Sequence, residues 1–290
     1  MGILFVTNYL KYHTMKIKII AFCLLFVTIF LSCKKEQIGN INNAGNNGSS
    51  NIPLLNKVLV DKQSTYEYIY NDSNLISQEK SKFNLAIYTY NDKSQLVTAD
   101  YYANANVLSS DPTTYQAAVN STVWVTSTSG VNGGTMSYEY NGTGQLIKTT
   151  YSTPLSATSE YSVFTYDANN RISRQTMSWG DTSTGYIDYT YDGQGNLIQE
   201  MLYSIPSPGA TELITTTQYV FDGKLNPYKA INRSMLPGIN TNLNNIVKVT
   251  YTIHVSPDLG SDNVQTTVTT YAYNAAGYPV SKNGNTSYVY

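Results

Sequence analysis

The stretch YTYDGQGNLIQE, from Tyr189 to Glu200, decides the fold. Tyr189 and Tyr191 are separated by one residue, so both rings leave the same face of an extended strand. Asp192 is a turn starter because its carboxylate can accept hydrogen bonds from the backbone N–H groups ahead of it. Gly195 supplies the left-handed residue that ends such a turn. The chain then alternates again as a strand, so the stretch predicts one β-hairpin.

The same pattern recurs along the chain, with a small or β-branched residue between two aromatic ones. The central aromatic residues of the seven copies are Tyr70, Tyr90, Tyr140, Tyr166, Tyr191, Phe221 and Tyr273. Two copies repeat the turn residues of the first closely, as Asn141 with Gly144 and Asn274 with Gly277. In another copy Asn170 stands in the glycine position. Hairpins repeated at this spacing predict a stacked, quasi-linear sheet.

Two intervals between copies are about twice as long as the others. Each either contains a degenerate hairpin or holds an insertion. The sequence favours hidden hairpins, around Tyr115–Val125 and around Ile246–Val255, because the second segment alternates and is followed by the turn-rich SPDLGSDN. The sixth copy, VFDGKLNPYK, lacks the glycine and has Pro227 where leucine is expected, which weakens the hairpin prediction there. Thr286–Tyr290 is predicted to close a last hairpin after KNGN.

The composition agrees with an all-β fold. Charged residues make up only 13% of the chain while tyrosine occurs 27 times, a balance that disfavours helices. We therefore expect an elongated, twisted antiparallel meander of about seven to eight hairpins over residues 57–290, with very little helix. The edge strands of such a sheet need protection, because exposed edges pair with other chains.

The N-terminal region has the order of a secretory signal. The cationic Met15–Lys18 precedes the apolar Ile19–Leu31, which is too short to span a bilayer comfortably. The following FLSC resembles the lipobox of bacterial lipoproteins, with Cys33 at the acylated position. We expect a signal peptide over residues 1–32, with Met15 as the true start, and a lipidated flexible tether over residues 33–56. An ordinary secretory signal and a hydrophobic anchor remain the alternatives.

The interpretation of the N-terminal region as a lipoprotein signal predicts that the mature protein lies in the bacterial cell envelope. It would be an outer-membrane lipoprotein that is periplasmic or surface-exposed. The membrane is then a partner through Cys33. Cleavage before Cys33 removes Cys23, so no disulfide is expected in the mature chain. Three of the 18 basic residues precede Cys33 and none of the 19 acidic ones does, which leaves the mature chain mildly acidic. Nucleic acid is therefore a poor candidate partner.

The copies YDGQGNLIQ and YNGTGQLIK resemble the YD repeat of RHS proteins and teneurins, over most of Tyr66–Tyr290. They are equally similar to small bacterial lipoproteins of unknown function that carry a few such repeats. The large relatives coil into a hollow β-shell around a toxin. Seven or eight hairpins are too few for a shell, and the Asp-Pro-x-Gly cleavage motif of those relatives is missing here. The resemblance implies the repeat sheet without the toxin function.

Candidates for chemistry are few. His254 is the one histidine of the mature chain and is more often structural than catalytic in such a strand. No ligand spacing predicts a metal site, and no motif predicts a cofactor. Asp188 and Glu200 are the acids that could form the carboxylate pair of a glycan hydrolase, because they do not start turns. The favoured function is instead a non-enzymatic scaffold that binds a surface glycan or protein.

Two tryptophans are the candidate ligand-binding residues. Trp124 lies in the long interval between the second and third copies, and Trp179 precedes the loop GDTSTG. Neither occupies a repeat-defining position, whereas the repeat tyrosines are explained by cross-strand aromatic pairs that stabilise a sheet. The alternative is that both tryptophans fill gaps in the core.

Overall fold

The computed structural model describes residues 53–290 except 109–110, 121–122, 155, 157, 232–235 and 256–259. The predicted signal peptide and Cys33 lie outside the described residues. Within them, 17 strands form one antiparallel sheet. The strands are β1 (Lys57–Val60), β2 (Gln63–Tyr70), β3 (Ile76–Lys80), β4 (Asn84–Tyr90), β5 (Leu96–Ala103), β6 (Val131–Tyr140), β7 (Leu146–Ser152), β8 (Glu160–Tyr166), β9 (Ile172–Trp179), β10 (Thr182–Tyr191), β11 (Leu197–Ser207), β12 (Ala210–Leu225), β13 (Asn244–Ile253), β14 (Asn263–Val268), β15 (Tyr271–Tyr273), β16 (Pro279–Lys282) and β17 (Thr286–Val289).

Helix is confined to short segments, as the composition predicts. The described helices are α1 (Pro112–Asn120) and the 3₁₀ helices Ala105–Leu108, Pro227–Ala230 and Ile239–Thr241. The all-β meander is therefore confirmed.

The sheet is rolled so that its two ends meet. Each strand from β1 to β13 pairs with the next one, so this series ends at β14. On the other side of β1, β17 pairs with β1, β16 with β17 and β15 with β16. A flat sheet of this many strands would be roughly 75 Å wide. Only Thr269 and Thr270 separate β14 from β15, a link of about 11 Å. The sheet must curl to bring these strands together, although no ladder between β14 and β15 in the described residues closes it into a barrel.

The hairpin tips have the predicted turn chemistry. Asp192 accepts hydrogen bonds from the backbone N–H groups of Gln194 and Asn196, both at 2.8 Å. Gly195 has φ +90°, in the left-handed region. The same pair of contacts recurs at the other tips, on the side chains of Asn71, Asn91, Asn141, Asp167 and Asn274. Their left-handed residues are Asn74, Ser94, Gly144, Asn170 and Gly277.

Gly195→Val should destabilise the protein by about 1 to 2 kcal/mol more than Gln194→Val. A β-branched residue is strained at positive φ, whereas Gln194 is exposed and carries no such restriction. A Cβ at Gly195 would meet no atom within 4 Å, so the expected loss is backbone strain alone. Urea unfolding of the two variants measures the difference, and equal midpoints would contradict the turn assignment.

The face of the sheet that packs into the core is called the inner face here. Its side chains form two rows, and each repeat contributes one residue to each row. The first strand residue after a turn is fully buried, as at Leu96 and Leu146. The last residue of the preceding strand is a tyrosine whose hydroxyl donates to the carbonyl of such a residue, as Tyr140 does to Leu96 at 3.0 Å. Equivalent bonds join Tyr70 to Leu55, Tyr90 to Ile76, Tyr166 to Leu146, Tyr191 to Ile172 and Tyr290 to Pro279. The repeat tyrosines therefore tie neighbouring hairpins together.

The two long intervals differ from each other. The predicted hairpin around Tyr115–Val125 is wrong, because α1 occupies most of that segment. Asp111 caps this helix by accepting from the Thr114 N–H at 2.8 Å, and Pro112 is its first residue. This start signal outweighs the length of the interval, on which the hairpin prediction for this segment rested. The hairpin around Ile246–Val255 is confirmed as β13 and β14.

The sixth copy does not form a tight hairpin tip. β12 continues to Leu225, and the chain then runs through two 3₁₀ helices before β13. Tyr228 and Ile231 of this connection are buried in the main core, where Tyr228 meets Tyr288 edge-on. Phe221 stands where other copies have the bonding tyrosine, and it has no hydroxyl to donate. The last hairpin, β16 with β17, is confirmed, and its final strand covers β1.

Candidate functional site

The two acids predicted as a catalytic pair lie on opposite faces of the sheet. In the ladder between β10 and β11, Asp188 is opposite Met201, whereas its neighbour Tyr189 is opposite Glu200. Successive side chains of a strand point to opposite faces, so Asp188 lies on the outer face and Glu200 on the inner one. The predicted carboxylate pair is therefore wrong, because the backbone of the sheet separates the two groups.

Asp188 belongs to a cluster on the outer face. Both of its oxygens accept from the guanidinium of Arg174, at 2.5 and 2.8 Å. The guanidinium carbon also lies 4.0 Å from the centre of the Tyr186 ring, which stacks on Tyr203 at 4.6 Å. The carboxylate raises the pKa of Arg174. The carboxylate of Asp188 is thus occupied by a planar, bidentate ion pair.

Glu200 lies on the inner face between two tyrosines. The Tyr219 hydroxyl donates to its carboxylate at 2.9 Å. Tyr189, on the adjacent strand, donates instead to Gln175 at 2.8 Å. Burial raises the pKa of Glu200 to about 6, and the hydrogen bond from Tyr219 limits that rise. Glu200 is therefore an acid that takes up a proton under mildly acidic conditions.

Glu160 lies on the same face, at the end of the strands opposite the hairpin tips. It stands between Tyr151 and Trp179 in the cross-strand ladders. It lines a crevice with Met136, Met177 and other side chains that has room for about one water molecule. Burial raises the pKa of Glu160 to about 7. Sequence reasoning missed Glu160, because the acid lies in an ordinary strand and no local pattern marks its burial.

The two tryptophans differ in exposure. Trp179 ends β9 with 42% of its surface exposed, next to Glu160 on the inner face. Trp124 is half-buried and is followed by Val125, which is in the core and donates its N–H to the Ser81 carbonyl. Trp179 therefore lies beside the crevice that Glu160 lines, whereas Trp124 lies beside the segment that contains α1.

His254 takes part in a hydrogen-bond chain that the sequence did not reveal. Its Nε2 lies 2.8 Å from the Thr216 hydroxyl and its Nδ1 lies 2.7 Å from the Asp262 carboxylate. The second oxygen of Asp262 accepts from the Val255 N–H at 3.1 Å, and these bonds hold the pKa of Asp262 below its usual value. The contacts join β12, the end of β13 and the residue before β14. They hold the two ends of the connection between β13 and β14 close to each other and to β12.

A wider cleft of about 550 Å³ opens between the tip of the β10–β11 hairpin and the later part of β12. Its lining includes Asp192, Tyr219, Asp222 and Asn244. Both carboxylates already have partners: Asp192 accepts from Asn196 within the turn, and Asp222 accepts from the hydroxyl of Tyr273 in β15. The cleft marks the place where the sixth copy departs from the repeat.

The described part of the chain contains neither a cluster of metal-ligating residues nor a helix that could span a membrane. No group of three or more His, Cys, Asp or Glu residues is placed there to hold a metal ion. Among the same residues, no helix is both long and apolar enough to cross a bilayer.

Comparison with known proteins gives structural neighbours only. Neither a protein-family model nor a curated protein sequence matches the chain. A porin-like protein from Bacteroides uniformis is similar over 81% of this chain and 97% of its own, at 12% identity and a TM-score of 0.38. The protein TcdB2-TccC3-TEV is similar over 76% of this chain but only 11% of its own, at 14% identity and a TM-score of 0.30. Similarity at this level supports no conclusion about function.

Proposed function

We propose that the protein is a cell-envelope lipoprotein, anchored through Cys33, whose repeat sheet is a non-enzymatic scaffold that binds a glycan or a protein. Residues 33–56 act as the tether, and the sheet presents its ligand surface away from the bilayer. The resemblance of FLSC to a lipobox supports the anchor. The placement of Asp188 and Glu200 on opposite faces of the sheet supports the scaffold over the alternative hydrolase.

The observation that carries the binding role is the position of Trp179. The repeat tyrosines are used inside the sheet, where their hydroxyls bond to backbone carbonyls. Trp179 is 42% exposed at the end of β9 and lies opposite Glu160 in the ladder with β8. A flat aromatic surface next to a hydrogen-bonding group suits both sugars and protein side chains. Trp179 is therefore the proposed anchor, with Trp124 a secondary candidate.

Trp179→Ala should weaken ligand binding by at least about fivefold, because truncating a central aromatic anchor typically costs more than 1 kcal/mol. Trp124→Ala should have a smaller effect. The measurement is a glycan and protein-partner screen on a chain lacking residues 1–52, followed by titration of each hit against both variants. Circular dichroism first establishes that the variants are folded. Equal affinity of the parent and both variants, or glycan turnover that depends on Glu200, would contradict the proposal.

Cys33→Ser should release the protein from the membrane fraction into the soluble fraction. Acyl chains on Cys33 supply the anchoring energy, and more than one chain is needed for stable attachment. Fractionation of cells that express the parent or the variant measures this change. A variant that stays in the membrane fraction would show that another segment holds it there.

A further inference from the structure

We propose that the protein forms a symmetric dimer through β14, with the second copy adding its own β14 antiparallel to the first. This inference is independent of the ligand proposed above, since it concerns the edge of the sheet and not Trp179. It assigns a pairing partner to β14, the strand that ends the series of paired strands β1 to β14 in the described part of the chain.

The edge at β14 is open among the described residues. β14 pairs with β13 on one side, and no described strand pairs with its other side. The neighbouring β16–β17 hairpin stops beside Thr270, where the Asn283 N–H donates to the Thr270 carbonyl at 2.8 Å and the Asn283 side chain accepts from the Thr270 N–H. β14 therefore extends past the turn of that hairpin, and its free side borders solvent.

β14 lacks the features by which edge strands avoid pairing. Its sequence, NVQTTV, contains no charged residue and no proline. Its ladder with β13 has no bulge, and all six residues are exposed. Val264 and Val268 are 59% and 65% exposed. Such an uncharged, β-branched edge without a bulge is a template for another strand.

The backbone groups available for pairing are those of alternate residues. The Thr269 N–H donates to the Val247 carbonyl of β13. Hydrogen-bonding groups alternate sides along an antiparallel strand, so those of Val264, Thr266 and Val268 point away from β13.

A second copy of β14 satisfies these groups in a single register. A twofold axis through Thr266 places Thr266 opposite its own copy and Val264 opposite Val268 of the partner subunit. On the other face, the same axis places Gln265 opposite Thr267 of the partner subunit. Both pairs of exposed valines are then covered, and about six new backbone hydrogen bonds form.

The lack of charge favours a second copy over a charged partner strand. When a charged strand pairs with its own copy, like charges can lie opposite each other and destabilise the pair. β14 carries no charge, so its self-pairing avoids this cost. A closed twofold contact of this kind also ends with the dimer, because each copy uses the open edge of β14 among its described strands. The interface is small, so the dimer should dissociate on dilution and be favoured when both copies are held on one membrane.

Cysteine cross-linking of the full chain tests the register. In the dimer, the two Thr266 Cα atoms lie about 5.5 Å apart, within the range of a disulfide. The two Gln265 Cα atoms lie about 8 Å apart, beyond that range. Thr266→Cys should therefore form a disulfide-linked dimer at least tenfold faster than Gln265→Cys under mild oxidation. The unsubstituted chain controls for cross-links through Cys23 or Cys33.

Thr266→Pro gives the complementary loss. Proline removes an N–H that points outward and leaves every bond to β13, so the fold should keep its circular dichroism spectrum and urea midpoint. The dissociation constant of the dimer, measured by analytical ultracentrifugation, should rise at least tenfold. Equal cross-linking at both positions, cross-linking at neither, or an unchanged dimer in a folded Thr266→Pro chain would overturn the proposal.

The other occupants of the edge give different results. A monomeric Thr266→Cys chain whose thiol resists alkylation would mean that a segment of the same chain covers β14. A cross-linked product heavier or lighter than twice the chain mass would mean a different protein. Either result also overturns the proposed dimer.

Discussion

Leu146→Ala is expected to lower the free energy of unfolding by about 3 kcal/mol, within the range for fully buried leucines. Leu146 has no exposed surface and begins β7 directly after a hairpin tip. Its side chain belongs to the row that packs under every repeat, and its carbonyl accepts from Tyr166. A cavity here cannot be filled easily, because hydrogen bonds hold the hairpins on both sides in place.

Ile147→Ala provides the matched control. Ile147 follows Leu146 in the same strand, but it is the residue left unpaired where the register with β6 shifts, and it is 40% exposed. Its truncation should cost less than about 1 kcal/mol, because little surface is buried. Urea unfolding at one pH compares the two variants. A loss at Ile147 equal to that at Leu146 would mean that the difference in burial between the two side chains is wrongly assigned.

The protein should become more stable as the pH falls from 8 to 5. Burial raises the pKa of Glu160 to about 7 and that of Glu200 to about 6, from an ordinary value of 4.5. A raised pKa means that the folded protein holds these protons more tightly than the unfolded chain does, so stability falls as pH rises through this window. Together the two groups should contribute about 2 kcal/mol, after a reduction for solvent screening at Glu160.

The doubly substituted chain, Glu160→Gln with Glu200→Gln, isolates this effect. Glutamine cannot ionise, so the variant should lose most of the pH dependence and be more stable than the parent at pH 8. The Tyr219 hydroxyl can still donate to the amide oxygen at position 200. Asp167 and Asp262 have lowered pKa values and act only at more acidic pH, outside the window. The measurement is the urea midpoint at intervals from pH 5 to 8, and an unchanged slope in the variant would contradict the assignment.

The candidate site was only partly predictable. Trp179 was identified because it stands outside the repeat pattern, and the structure leaves it exposed. The carboxylate pair was not found, because Asp188 and Glu200 were compared by residue type without the strand register that separates them. Glu160 and the contact between Thr216 and His254 had no local signal. Each depends on which strands lie side by side, and sequence spacing alone does not give that information.

By itself, the sequence determined the hairpins. A turn such as Asp192–Gly195 forms through hydrogen bonds between residues at most four positions apart. The residues that form it can therefore be recognised in a short stretch of sequence. The alternation of aromatic residues likewise determined which side chains share a face. Proline and the missing glycine in the sixth copy correctly weakened the hairpin prediction at that place.

Only the tertiary structure decided how the hairpins assemble. The roll depends on β1 pairing with β17, where Lys57 lies opposite Val289, and on the connection after β12 packing into the core. These contacts join residues far apart in the chain, and their free energy comes from apolar burial that only the assembled sheet provides. The same assembly leaves β14 as an open edge and raises the pKa values of Glu160 and Glu200, because burial and exposure are properties of the whole sheet.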